Sequence, residues 1–193
     1  MNLPNKLTLL RVFLVPIFLL FFYIDKLPHN YTFALVIFAV ASITDALDGY
    51  IARKQNLITN FGKFLDPLAD KVLVVAALCC FVEKNLISAI PLIIIVTREF
   101  TVSGLRLVVA NDGVVVPASI SGKLKTAFTM VTIVFVLVLK LLSVNLNIIS
   151  FENSYQNIFY LITQILIWIS TILTIFSGMV YLKAYWKYID SSK

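Results

Sequence analysis

DALDGYIAR, residues 45–53, and GKFLDPLAD, residues 62–70, put four aspartates, Asp45, Asp48, Asp66 and Asp70, into a chain that is 60% hydrophobic and only 13% charged. The apolar runs around them, such as 89–96 and 131–142, are continuous rather than alternating, which suits helices and not the strands of an outer-membrane barrel. With 193 residues and a mean hydropathy of +0.95, the composition excludes an ordinary soluble domain. It points to an all-α polytopic membrane protein. A carboxylate at the centre of a spanning helix costs roughly 2.5 to 3.5 kcal/mol on insertion scales, so a cluster of four requires a compensating partner.

Working outward from the aspartates, apolar runs bounded by polar or turn residues predict six transmembrane helices, at about 6–24, 32–54, 64–82, 87–110, 122–144 and 157–182. The first reads as a retained helix rather than a signal peptide, because no small-residue cleavage site follows Phe22. The connections at 25–31, 83–86 and 143–156 then share one side of the membrane, and those at 55–63 and 111–121 share the other with both termini. Of the 16 Lys and Arg residues, only Lys26, Lys84 and Lys140 fall on the first side. The positive-inside tendency therefore makes the second side cytoplasmic and puts the aspartates there, at the end of span two and the start of span three. No internal repeat or linker divides the chain, so 1–193 reads as a single domain of a multi-pass protein of the cell membrane. Trp168, Trp186, Tyr181, Tyr185 and Tyr188 read as packing residues or interfacial anchors.

Asp45 and Asp48 are spaced i, i+3, and Asp66 and Asp70 i, i+4, so each pair projects from one face of its own helix. Brought together across a short hairpin, four anions repel unless protonated or bridged by cations. Two divalent ions would balance them, and oxygen-only ligands favour Mg²⁺ or Mn²⁺ over zinc. Such a two-metal site suits displacement at phosphorus. Gly49 and Gly62 allow close approach of ligand and helix, Ala52 keeps the face small, and Arg53 can reach a diphosphate with its planar fork or serve simply as an interfacial anchor. The only histidine, His29, falls in a loop on the opposite side, so any proton acceptor at this site must be a carboxylate.

The stretch D-x-x-D-G-x-x-A-R, eight residues, then G-x-x-x-D-x-x-x-D resembles the signature of the CDP-alcohol phosphatidyltransferases at every position from Asp45 to Asp70. Chance accounts for such a match only on the order of 10⁻¹⁰ per start site. The resemblance implies that the aspartates hold two metals that grip the CDP diphosphate and that Asp70 is also the catalytic base. The segment Asn2 to Arg11 resembles the family's N-terminal segment, which lies along the membrane surface and helps to close the nucleotide pocket. This adds Asn5 and Thr8 to Gly49, Ala52, Arg53 and Gly62 as residues binding CDP-diacylglycerol. TREFTVSGLR, residues 97–106, and SGKLKT, residues 121–126, resemble the subgroup whose acceptor is sn-glycerol 3-phosphate. A homodimer is implied by the same resemblance.

Charge supports a phosphate-bearing acceptor independently. Arg98 and Arg106, spaced i, i+8, share one face of span four, and Lys123 and Lys125 open span five. The plainer alternative has Arg98 paired with Glu99 and the lysines marking a cytoplasmic boundary. Inositol phosphate, serine and phosphatidylglycerol are rival acceptors within the family. Outside it, a cation transporter could also use clustered carboxylates, although it would not need Gly49, Ala52 and Arg53 at fixed spacing. Membrane lipid, and not nucleic acid, is the expected partner.

Overall fold

The computed structural model describes residues 2–24, 26–55, 60–111, 119–145 and 153–186; side chains around the aspartate motif, at 46, 48–50, 52–55, 60–67 and 70, lie outside the described set. The described chain forms six α-helices and no strand: α1 (Leu3–Tyr23), α2 (Asn30–Gln55), α3 (Asn60–Glu83), α4 (Ala89–Asn111), α5 (Ile120–Lys140) and α6 (Asn153–Tyr185). A π-helical turn at Leu141–Asn145 extends α5. Each predicted span overlaps one helix, and most of the helices run a turn or so beyond the apolar run. Apolarity marks only the part suited to hydrocarbon, whereas backbone hydrogen bonding continues into polar first turns such as those begun by Asn30, Asn60 and Asn153.

The helix ends follow local chemistry. Ser119 caps α5, its Oγ accepting the Gly122 N–H at 3.0 Å. α3 stops where Asn85 takes φ of 56°. The Leu86 N–H then reaches the Phe81 carbonyl at 2.8 Å and the Asn85 N–H that of Val82 at 3.0 Å, the paired bonds of a Schellman cap.

α1 packs on α2 and α3, α6 packs on α4 and α5, and α3 touches both α4 and α5. The core around α1 is aromatic, with Phe22 meeting Tyr31 edge-on at 5.4 Å and Phe18 and Phe81 at 5.9 and 6.0 Å between ring centroids. Fully buried Ala34, Ala41 and Ala77 let the helices approach closely, as in bilayer bundles. Thr129 and Ser170 bond across α5 and α6 at 2.6 Å. Thr132, Thr171 and Thr174 bond the carbonyl one turn earlier, so these hydroxyls are satisfied without water.

The outer surface is apolar, with Phe13, Leu107 and Ile172 more than 60% exposed. Among the described residues, three stretches, Asn5–Tyr23, Ile120–Val144 and Ile158–Tyr185, are long and apolar enough to cross a membrane. These helices mark a membrane protein. α4 carries Arg98, Glu99 and Arg106, three charges that lower its apolarity and lead to the site.

Candidate active site

A cavity of about 640 Å³ opens among the helices, bounded by Asp45 of α2, Lys71 of α3, a stripe of α4, the first turns of α5, and Tyr181 of α6. On α4 the lining residues Arg98, Glu99, Val102, Ser103 and Arg106 follow helical spacing along one face. On α5 the lining includes Gly122, Lys123, Lys125 and Thr126. All four cations predicted to bind the acceptor phosphate therefore border one space. Among the described residues, five cationic side chains line it with two carboxylates, and this gathering of positive charge suits an anionic ligand.

Arg98 donates from Nη1 to Glu99 Oε1 at 3.0 Å and from Nη2 to Ser177 Oγ at 2.6 Å. Lys125, 3% exposed, bonds the same Glu99 oxygen through Nζ. Glu99 thus answers one buried and one partly buried cation, whose isolation would be costly. The pairing of Arg98 with Glu99 and its place on the cavity wall hold together: the carboxylate and the cavity share one guanidinium. Arg106 is more exposed and donates from Nη2 to Tyr181 Oη at 3.0 Å. Lys123 is exposed on the cavity rim.

Asp45 is the aspartate whose side chain is described. Its carboxylate borders the cavity, and Oδ1 lies 2.6 Å from Nη1 of Arg11, which is almost wholly buried on α1. Asn5 and Thr8 are buried on α1 as well, forming with Arg11 an i, i+3, i+6 polar stripe in its first turns. These residues belong to the same continuous helix as the first apolar span, rather than to a separate surface segment. The backbone carries Asp48, Gly49, Ala52 and Arg53 in the last turns of α2, and Gly62, Asp66 and Asp70 in the first turns of α3; their side chains fall outside the described residues. Among the described residues no group of three His, Cys, Asp or Glu side chains forms a metal cluster. Asp45 borders the cavity as a hard oxygen donor of the kind Mg²⁺ or Mn²⁺ takes, with Oδ1 engaged by Arg11.

Sequence reasoning missed several contributors. Tyr181, read as a packing or belt residue, is 3% exposed, lines the cavity and bonds Arg106 and the Ser119 N–H. Trp168 and Trp186, by contrast, are exposed, as anchors would be. Arg11 and Lys71 could have been suspected from charge inside an apolar run. Nothing in the spacing separates Tyr181 from the other tyrosines.

The sequence is that of a known class. Residues 1–176 match the CDP-alcohol phosphatidyltransferase family, and the chain belongs to it. It is similar to the CDP-diacylglycerol--glycerol-3-phosphate 3-phosphatidyltransferase of Bacillus subtilis (strain 168), at 40% identity over 202 residues, 99% of this chain and 98% of the relative. The protein of the same name from Rickettsia bellii (strain RML369-C) is 43% identical over 189 residues, 97% of each chain. That of Haemophilus influenzae (strain ATCC 51907 / DSM 11121 / KW20 / Rd) is 39% identical over 188 residues, 94% of this chain and 92% of the relative.

Proposed function

We propose that this protein transfers the phosphatidyl group of CDP-diacylglycerol to sn-glycerol 3-phosphate, forming phosphatidylglycerophosphate and CMP. The observation that carries the reading is the meeting of Arg98, Arg106, Lys123 and Lys125 on one cavity with Asp45 of the aspartate motif at its edge. The names of the relatives from Bacillus, Rickettsia and Haemophilus support the same acceptor.

In this reading the chain is one domain of six transmembrane helices, a homodimer in the cell membrane with its site toward the cytoplasm. CDP-diacylglycerol enters from the inner leaflet, its acyl chains remaining in lipid. Asn5, Thr8, Gly49, Ala52, Arg53 and Gly62 shape its headgroup site. Asp45, Asp48, Asp66 and Asp70 would hold two divalent cations, Mg²⁺ or Mn²⁺, which neutralise the diphosphate. Arg106 and Lys123 bind the acceptor's phosphate, with Arg98 and Lys125 behind them, and so point its 1-hydroxyl at the lipid-bearing phosphorus. Asp70 takes the hydroxyl proton as the new P–O bond forms, and the bond to CMP breaks with its electron pair leaving on CMP. No covalent enzyme intermediate is needed.

The test is CMP release by the purified protein from CDP-diacylglycerol with glycerol 3-phosphate, inositol phosphate, serine or phosphatidylglycerol supplied singly. Turnover with glycerol 3-phosphate is expected. Turnover only with another acceptor would overturn the assignment.

A further inference from the structure

Three helices converge on one tyrosine. The Tyr181 hydroxyl of α6 accepts the Arg106 Nη2–H from α4 at 3.0 Å and the Ser119 N–H, just ahead of α5, at 2.8 Å. Its ring lies 5.4 Å from the Arg106 Cζ and 5.6 Å from the Arg98 Cζ, within the range of cation–π attraction to both guanidinium groups. Two like charges are thereby held near one aromatic ring instead of repelling each other apart.

The neighbours of Tyr181 are shaped to the same end. A Cβ on Gly122 would sit at ordinary contact distance, 3.6 Å, from Tyr181 and closer, 3.2 Å, to Ser119 Oγ, so the first turn of α5 lies directly against the tyrosine. One turn earlier on α6, a Cβ on Gly178 would lie 3.1 Å from Arg98 Cγ, while Ser177 accepts the Arg98 Nη2–H. α6 thus contributes a bond, a gap and a ring, all directed at the two arginines.

We propose that Tyr181 is the positioning residue of the acceptor-phosphate site: it fixes Arg106 beside Arg98 and ties both to the start of α5, which carries Lys123 and Lys125. The inference rests on the acceptor reading above and deepens it. Its hydroxyl preorganises the charge that a phosphomonoester meets, so losing it weakens the acceptor and leaves the nucleotide lipid alone.

The experiment measures KM for each substrate and kcat on purified protein in lipid nanodiscs for wild type, Tyr181→Phe, Arg106→Gln, the double variant, and Tyr160→Phe as a control on the exposed face of α6. A hydrogen bond to a charged group predicts that Tyr181→Phe raises KM for glycerol 3-phosphate about tenfold. The KM for CDP-diacylglycerol and kcat are expected to stay within about twofold, and Tyr160→Phe to match wild type. The double variant is expected to exceed Arg106→Gln by less than about threefold, because the tyrosine acts through that arginine. If Arg106→Gln leaves the acceptor KM unchanged, the acceptor site itself is misplaced and the inference falls with it. If Arg106→Gln raises that KM and Tyr181→Phe does not, the site stands and the role of Tyr181 is refuted. Equal losses toward both substrates in Tyr181→Phe would show a general structural role and refute it equally.

Discussion

Glu99→Gln is the perturbation that most directly probes how this site keeps its positive charge. One Glu99 oxygen answers both Arg98, at 3.0 Å, and Lys125. The side chains of Lys125, Arg98 and Glu99 are only 4%, 12% and 19% exposed. Removing one partner from a buried ion pair costs about 3–5 kcal/mol, and the adjoining cavity places this case near the lower end. At about 2–4 °C per kcal/mol for a chain of this length, a loss of about 3 kcal/mol lowers Tm by about 6–12 °C. The assay is thermal unfolding of the purified protein in detergent, with and without inorganic phosphate. Phosphate is expected to raise the Tm of Glu99→Gln more than that of wild type, since the anion meets cations that the carboxylate no longer engages. A Tm within about 1 °C of wild type would refute the energetic argument. Equal phosphate increments in the two proteins would refute the idea that Glu99 and an anion share the same cations.

Asp70→Asn is expected to cut CMP release by about 10²–10⁴, the range of a lost general base; wild-type turnover would remove Asp70 from that role. Arg98→Ala should raise KM for glycerol 3-phosphate by about tenfold or more, as for the loss of a charged hydrogen-bond donor, with little change for CDP-diacylglycerol, and an unchanged acceptor KM would count against it. Gly178→Leu forces a side chain against Arg98 Cγ, 3.1 Å from where the Cβ would stand, and should likewise weaken the acceptor; steady-state kinetics reads this out. Chelation with EDTA is expected to stop CMP formation and added Mg²⁺ or Mn²⁺ to restore it, whereas full activity after exhaustive chelation would exclude the two-cation reading.

The helices were legible because long apolar runs permit little else: α1 to α6 all lie where the hydropathy placed them. The charged stripe from Arg98 to Arg106 was legible for the opposite reason, since charge inside such a run demands a partner. The pattern did not show which partner. Glu99 being shared with Lys125, or Arg11 turning to Asp45, depends on how separate helices rotate against one another. Tyr181 was hidden more deeply. A tyrosine near a helix end suits an interfacial belt, and only the packing of α6 against α4 and α5 turns it inward. The small residues Gly122 and Gly178 carry no chemistry of their own in the sequence; their meaning is the space they leave beside other side chains.

The contact between Arg11 and Asp45 bears on how the chain first reaches the bilayer. The two residues lie on consecutive helices joined by a short turn, and their side chains meet at 2.6 Å. An arginine or an aspartate entering hydrocarbon singly is penalised, but the two together present a nearly neutral, charge-paired unit. In the proposed six-span arrangement, the α1–α2 pair thus carries its own counterion, and partition of both helices together is favoured over insertion one at a time.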